Sequence, residues 1–160
     1  MINIENFNKV YNKLFQALVN ANIKNSKNFV LTVVSEPFED YDKNICPIMI
    51  LRKDSITNPF DIGDQSKIAI PTKLSLGISV VDYSTTDFYE ANNLVEDLLN
   101  KALQTIQQTY NLDIELQELI EEIILDEIVY IPATKIESIW FAEITATLII
   151  LFKKQYTFKD

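Results

Sequence analysis

The chain has 160 residues, 48% of them hydrophobic and 23% charged, the profile of one globular domain that buries roughly 70% of its unfolded surface. Its net charge of −9, with Arg52 as the single arginine, excludes a surface that grips nucleic acid through clustered basic groups and disfavours anionic membranes. With no histidine, one cysteine and only Gly63 and Gly77, the chain lacks the parts of a histidine triad, a cysteine zinc site within one subunit or a glycine-rich phosphate loop.

Asn3 is placed to cap a first helix running to about Asn22, with Ile4, Phe7, Tyr11, Leu14 and Leu18 on one face. The polar group Asn25-Ser26-Lys27-Asn28 ends that unit. Phe29–Val34 reads as a β-branched strand, Ser35–Asn44 as an acidic loop, and Ile45–Leu51 as a second strand. Pro47 has no ladder donor, so that strand is expected at a sheet edge or bulged. Lys53–Ser66 reads as a long connection carrying Pro59 and Gly63, of a length that tends to be functional or mobile.

The clearest signal is Lys67–Tyr110. Ile68, Ile70, Thr72, Leu74, Leu76, Ile78 and Val80 recur every second residue, the period of a half-buried strand. That strand spans Lys67–Val81, with a break near Pro71, and Asp82–Thr86 turns the chain into a helix capped by Thr86 or Asp87. Phe88, Ala91, Leu94, Val95, Leu98, Leu99, Ala102, Leu103 and Ile106 then cover about half of the helix circumference. So broad a stripe predicts that the helix covers a sheet and also touches a second helix or another subunit.

A short third helix is expected over Asp113–Ile124, a short strand at Ile128–Ile131 and a turn at Pro132–Lys135. A last strand over Ile136–Lys154 puts Trp140, Ala142, Ile144, Ala146, Leu148, Ile150 and Phe152 on one face. It is apolar on both sides at its ends, which places it centrally in a sheet or against a partner. Its apolar run is interrupted by Glu143, Thr145 and Thr147 and falls short of the ~20 residues of a membrane helix. The start of the chain does not read as a secretory signal, and the protein is expected to be soluble. The sum is one α+β domain: a mostly antiparallel sheet of about four to five strands on an N-terminal helix and a long central helix, with a short extra helix.

The acids invite chemical readings. Glu115, Glu118, Glu121 and Glu122 share the outer face of the expected third helix, with no Lys or Arg between Lys101 and Lys135. A solvated face is the plain reading, and docking of a basic partner or a carboxylate metal site are the sharper ones. The loop Glu36–Asp42 lacks the glycine and spacing of an EF-hand. Phe38 and Tyr41 are read as pins of that loop to the core or to a neighbour. Phe60 is either folded back or offered to a partner, and Cys46 is read as a small core residue. Tyr130 and Trp140 are read as core aromatics. No cofactor and no catalytic activity are expected, with an enzyme using carboxylates and a divalent cation as the opposing reading.

The order helix, two strands, long loop, long strand, long helix, late strands resembles the tail terminator proteins of long-tailed bacteriophages. The likeness is carried by Thr72–Leu103, where Lys-Leu-Ser-Leu-Gly-Ile-Ser-Val-Val-Asp-Tyr passes into an acidic-capped helix, and by Ile136–Tyr156 with Ala-Glu-Ile-Thr-Ala-Thr-Leu from Ala142. It implies a structural virion protein, assembled in the host cytoplasm, that forms a ring, usually a hexamer, on the head-proximal end of the tail tube. Such a ring meets tail-tube protein on one side and the head connector on the other. DNA passes through its lumen without specific binding. The negative charge suits that passage, since it repels DNA within a Debye length of ~8 Å. A neck, head-completion or tail-completion protein is the neighbouring alternative. The surfaces expected to make contacts include Phe38, Tyr41, Phe60, Glu115, Glu118 and Glu122.

Overall fold

In the computed structural model, which describes residues 4–57 and 72–153, helical and alternating periods resolve into three helices and one five-stranded sheet. The elements are α1 (Ile4–Asn20), β1 (Thr32–Val34), β2 (Ile48–Thr57), β3 (Lys73–Ser84), α2 (Phe88–Leu112), α3 (Ile114–Leu119), β4 (Ile120–Ile136) and β5 (Ile139–Phe152). The strand order is β1-β2-β3-β5-β4, and every pairing except β1–β2 is antiparallel. The fold is α+β.

The alternation of β3 has a direct physical cause. Leu74, Leu76, Ile78 and Val80 are fully buried beneath the helices, while Lys73 and Ser75 face the other way. The strand runs on to Ser84, correcting the expected turn from Asp82, because Asp82 and Ser84 continue the inward series with their polarity satisfied. Asn25 Nδ2 donates to Asp82 Oδ2 at 2.9 Å, and the Tyr83 amide donates to Asp82 Oδ1 at 2.9 Å. Ser84 Oγ accepts from the Thr86 amide at 3.0 Å. Asp87 caps α2 by accepting from the Glu90 amide at 2.8 Å.

Along α2, Ala91, Leu94, Val95, Leu98, Leu99, Ala102 and Ile106 are buried. The helix lies across β3 and β5, and α1 packs along its side. The second neighbour that the broad stripe calls for is therefore α1 of the same chain. α1 buries Phe7, Val10, Tyr11, Leu14 and Leu18, while Ile4 stays 54% exposed. Phe7 meets Phe152 edge-on at 5.0 Å, and the Tyr11 hydroxyl donates to the Leu51 carbonyl at 2.5 Å. These contacts fasten the helix layer to the sheet.

Several boundaries differ from the sequence expectations. β1 is confined to Thr32–Val34, since Phe29 and Val30 are exposed where the chain bends back through the Lys24–Val30 bridge. β2 starts after Pro47 and continues through Lys53–Thr57, which were expected to be loop. It lies between β1 and β3 rather than at an edge. Pro47 precedes the strand, and its carbonyl accepts from the Thr32 amide at 3.0 Å. Residues 58–71, with Phe60 and the expected strand start, lie outside the described residues.

The largest correction is the third helix. It ends at Leu119, and Ile120–Ile124 open β4. Ile120, Ile123, Ile124, Ile128 and Ile131 are β-branched, and their backbones pair with β5 from Phe152 to Glu143. Long-range pairing outweighs a local apolar spacing that also fits a helix. The expected strand Ile128–Ile131 is the middle of this element. The expected turn Pro132–Lys135 also lies inside it, as the last of three register shifts. β5 is central, as its two apolar faces predict.

Candidate interaction surfaces

The residues singled out in the acidic and aromatic segments do not converge on one site. Glu115 and Glu118 lie on α3, whereas Glu122 lies on β4 beside Glu121, so the expected four-carboxylate helix face does not exist. Two lysines of α1 neutralise part of the cluster. Lys9 Nζ lies 2.7 Å from Glu115, and Lys13 Nζ lies 2.8 Å from Asp113 and 3.1 Å from Glu115. Hydrogen bonds from these ammonium groups hold both carboxyls below their usual range. Glu118, Glu121 and Glu122 remain exposed.

Phe38 and Tyr41 pin the acidic loop to its own sheet. Tyr41 stacks on Phe141 at 5.4 Å, Phe38 leans on Tyr41 at 5.8 Å, and the Tyr41 hydroxyl donates to Glu143 Oε1 at 2.5 Å. Burial and the neighbouring Glu143 carboxylate push the Tyr41 phenol upward. Cys46 joins this small cluster with Ile48, Val81 and Phe141. Burial first, then the carboxylates of Asp82 and Asp42, raise its thiol to about 12, which removes thiolate reactivity at neutral pH. Among the described residues no three His, Cys, Asp or Glu side chains come together as a metal site.

On the helix-free face, Gly77 leaves room for the guanidinium of Arg52. A Cβ at Gly77 would stand 2.6 Å from Arg52 Cζ. Arg52 Nη1 donates to Ser79 Oγ at 2.8 Å, and Arg52 Nε pairs with Asp54 at 2.9 Å. This polar patch covers the middle of the sheet without any helix.

The surface that lacks cover is β4. Among the described residues it pairs only with β5, so its other edge carries no described strand. Glu121, Glu122, Asp126, Glu127 and Pro132 and three bulges fall along that edge, the devices that keep a free edge from pairing indiscriminately. Directly opposed residues of an antiparallel pair share a face, which sorts the apolar side chains of β4 into two sets. Ile124, Val129 and Ile136 oppose Ile149, Thr145 and Ile139 on the helix-free face, and are 36%, 40% and 42% exposed. Leu125, Ile128 and Tyr130 oppose Leu148, Ala146 and Ile144 on the helix side, yet are 45%, 41% and 55% exposed.

The second set shows where the helix layer stops. α2 crosses β3 and β5, and between it and β4 run two adjoining clefts of about 410 and 420 Å³ that share Leu103. Leu99, Ile106, Leu125, Ile128 and Leu148 line them, with Glu96, Asp97, Glu121 and Glu122 at the rims and no Lys or Arg. Tyr130 is no core aromatic. It stands at this groove, where the carboxylate of Glu96 raises its phenol. Trp140 is half-buried against the core, with Lys135 Nζ 4.9 Å from its ring centre. The sequence signal for β4 was its run of isoleucines broken by acid pairs, which a helical spacing disguised.

No family model and no curated protein matches the chain. No described helix is long and apolar enough to cross a membrane.

Proposed function

We propose that the protein is a structural virion subunit without catalytic activity, forming a ring that caps the tail tube of a long-tailed bacteriophage and joins it to the head connector. The reading rests on the resemblance in element order and on one observation of surface. The β4–β5 hairpin carries Ile124, Val129 and Ile136 exposed on its helix-free face, with Ile131, Ile149 and Leu151 half-buried beside them. Exposed apolar side chains on an edge strand that no described element covers support a contact between proteins. In a ring each copy meets the next through a heterologous contact, two different patches repeated around an axis.

The helix layer is not part of this contact, because α2 is already covered by α1 and the sheet. The loop Ser35–Asn44 is likewise occupied with its own sheet through Tyr41 and Phe141. The negative charge favours a lumen through which DNA slides without adhering. A neck or completion protein of the same architecture presents the same surfaces, and the position of the ring in an imaged particle separates the two.

Light scattering and negative-stain microscopy test the reading. Closed rings are expected from the wild-type chain, alone or on addition of tail-tube protein, and their loss in an Ile124→Lys, Val129→Lys variant that still folds. A strict monomer at high concentration, with tail-tube protein present as well, contradicts it.

A further inference from the structure

Strands in a sheet stand about 4.8 Å apart, whereas a helix with its side chains is about 10 Å across. One helix therefore covers about two strands. α1 and α2 lie side by side with α2 over β3 and β5, which among the described residues leaves the helix side of β4 from Ile123 to Tyr130 without a helix above it. The consequence is visible in Leu125, Ile128 and Tyr130, which point into the helix layer from their register with Leu148, Ala146 and Ile144 and are still 41% to 55% exposed. From Ile123 to Tyr130 this open strip is about 25 Å long, matching roughly sixteen residues of helix.

Charge selects the occupant. The rims carry Glu96, Asp97, Glu121 and Glu122, and neither cleft is lined by a basic residue. Asp97 is paired with Lys101 at 2.8 Å, and Glu96 accepts from Asn92 Nδ2 at 2.9 Å. A second copy of the chain fits poorly. The apolar stripes of its α1 and α2 are buried in its own core.

We propose that the groove between α2 and β4 is a docking site for an amphipathic, lysine- or arginine-bearing helix of a different protein. Its apolar face lies on Leu103, Leu125 and Ile128, and its basic flanks meet Glu96 on one rim and Glu121 on the other. This is the helix-in-groove mode, with apolar anchors at i, i+3 or i+4 and i+7. The bound helix completes the cover of the sheet as a third member of the helix layer. The groove faces away from Ile124 and Val129, so ring closure and helix docking can be lost separately.

Calorimetric titration with a sixteen-residue amphipathic peptide of leucine, alanine and lysine tests the site on the full chain. The control peptide carries glutamate in place of lysine. The lysine peptide is expected to bind and the glutamate peptide not. A Leu125→Ser, Ile128→Ser variant is expected to weaken binding at least tenfold, whereas Ile124→Ser, Val129→Ser on the opposite face leaves it unchanged. Should the groove variant fail to melt cooperatively, Glu96→Gln, Glu121→Gln replaces it, with a severalfold loss expected. The proposal is overturned if the lysine peptide does not bind, or if both faces respond equally. It is also overturned if the groove variant alone changes the mass of the free protein, which would assign the groove to a second copy.

Discussion

β3 and β4 are both long strands of one sheet, and they use their residues in opposite ways. β3 has neighbours on both edges and helices over one face, and its side chains from Leu76 to Asp82 are all buried. Among the described residues β4 has one strand neighbour and no helix across its length, and only Ile120 of it is buried. Both are rich in β-branched and apolar residues, so composition alone does not separate them. What separates them is cover, which is a property of the whole fold.

The contrast predicts a graded response to truncation. Leu76→Ala removes a fully buried side chain from the central strand and is expected to cost about 3 kcal/mol in urea unfolding, from lost burial and the cavity left behind. Next in size is Asn25→Ala, which takes the side-chain partner from buried Asp82 and the acceptor of the Lys27 and Phe29 amides. About 2 kcal/mol is expected at pH 7, the cost of leaving a buried polar group unpaired. Burial raises the Asp82 carboxyl above its ordinary 3.8, with Asn25 working against the shift. A raised carboxyl favours the folded state below that ordinary value, and the advantage fades as pH climbs through the folded value. The loss in Asn25→Ala is therefore expected to be smaller at pH 4 than at pH 7. Smallest is Ile128→Ala on β4, at under about 1 kcal/mol, because its side chain is already 41% exposed. An Ile128→Ala loss as large as that of Leu76→Ala would erase the contrast.

The same contrast explains what the sequence could tell. Leu74 to Val80 alternate cleanly because one face meets leucines of α2, while on the other Ser79 meets Arg52 and Thr145. The α2 stripe was legible in full, because each residue that faces the sheet or α1 is apolar. β4 was not. Its three register shifts break the two-residue period, and with neither face sealed the acids and isoleucines intermix. Leu116, Leu119, Ile120, Ile123 and Ile124 do fit a helix, and only pairing with β5 decides otherwise. The groove was invisible for a related reason, since it is bounded by residues of α2 and β4 brought together by β5. Among the singled-out residues, Glu122 belongs to the uncovered strand, while Phe38 and Tyr41 serve their own sheet.

Hydrogen exchange, comparing the dilute subunit with the proposed ring, tests most directly the claim that β4 is held in reserve for partners while the other described elements cover one another. The account predicts that protection rises on assembly in Ile124–Ile136 and its partner β5, and stays constant in β3 and α2. Constant exchange in β4, with new protection at Ser35–Asn44 or α1 instead, would contradict it.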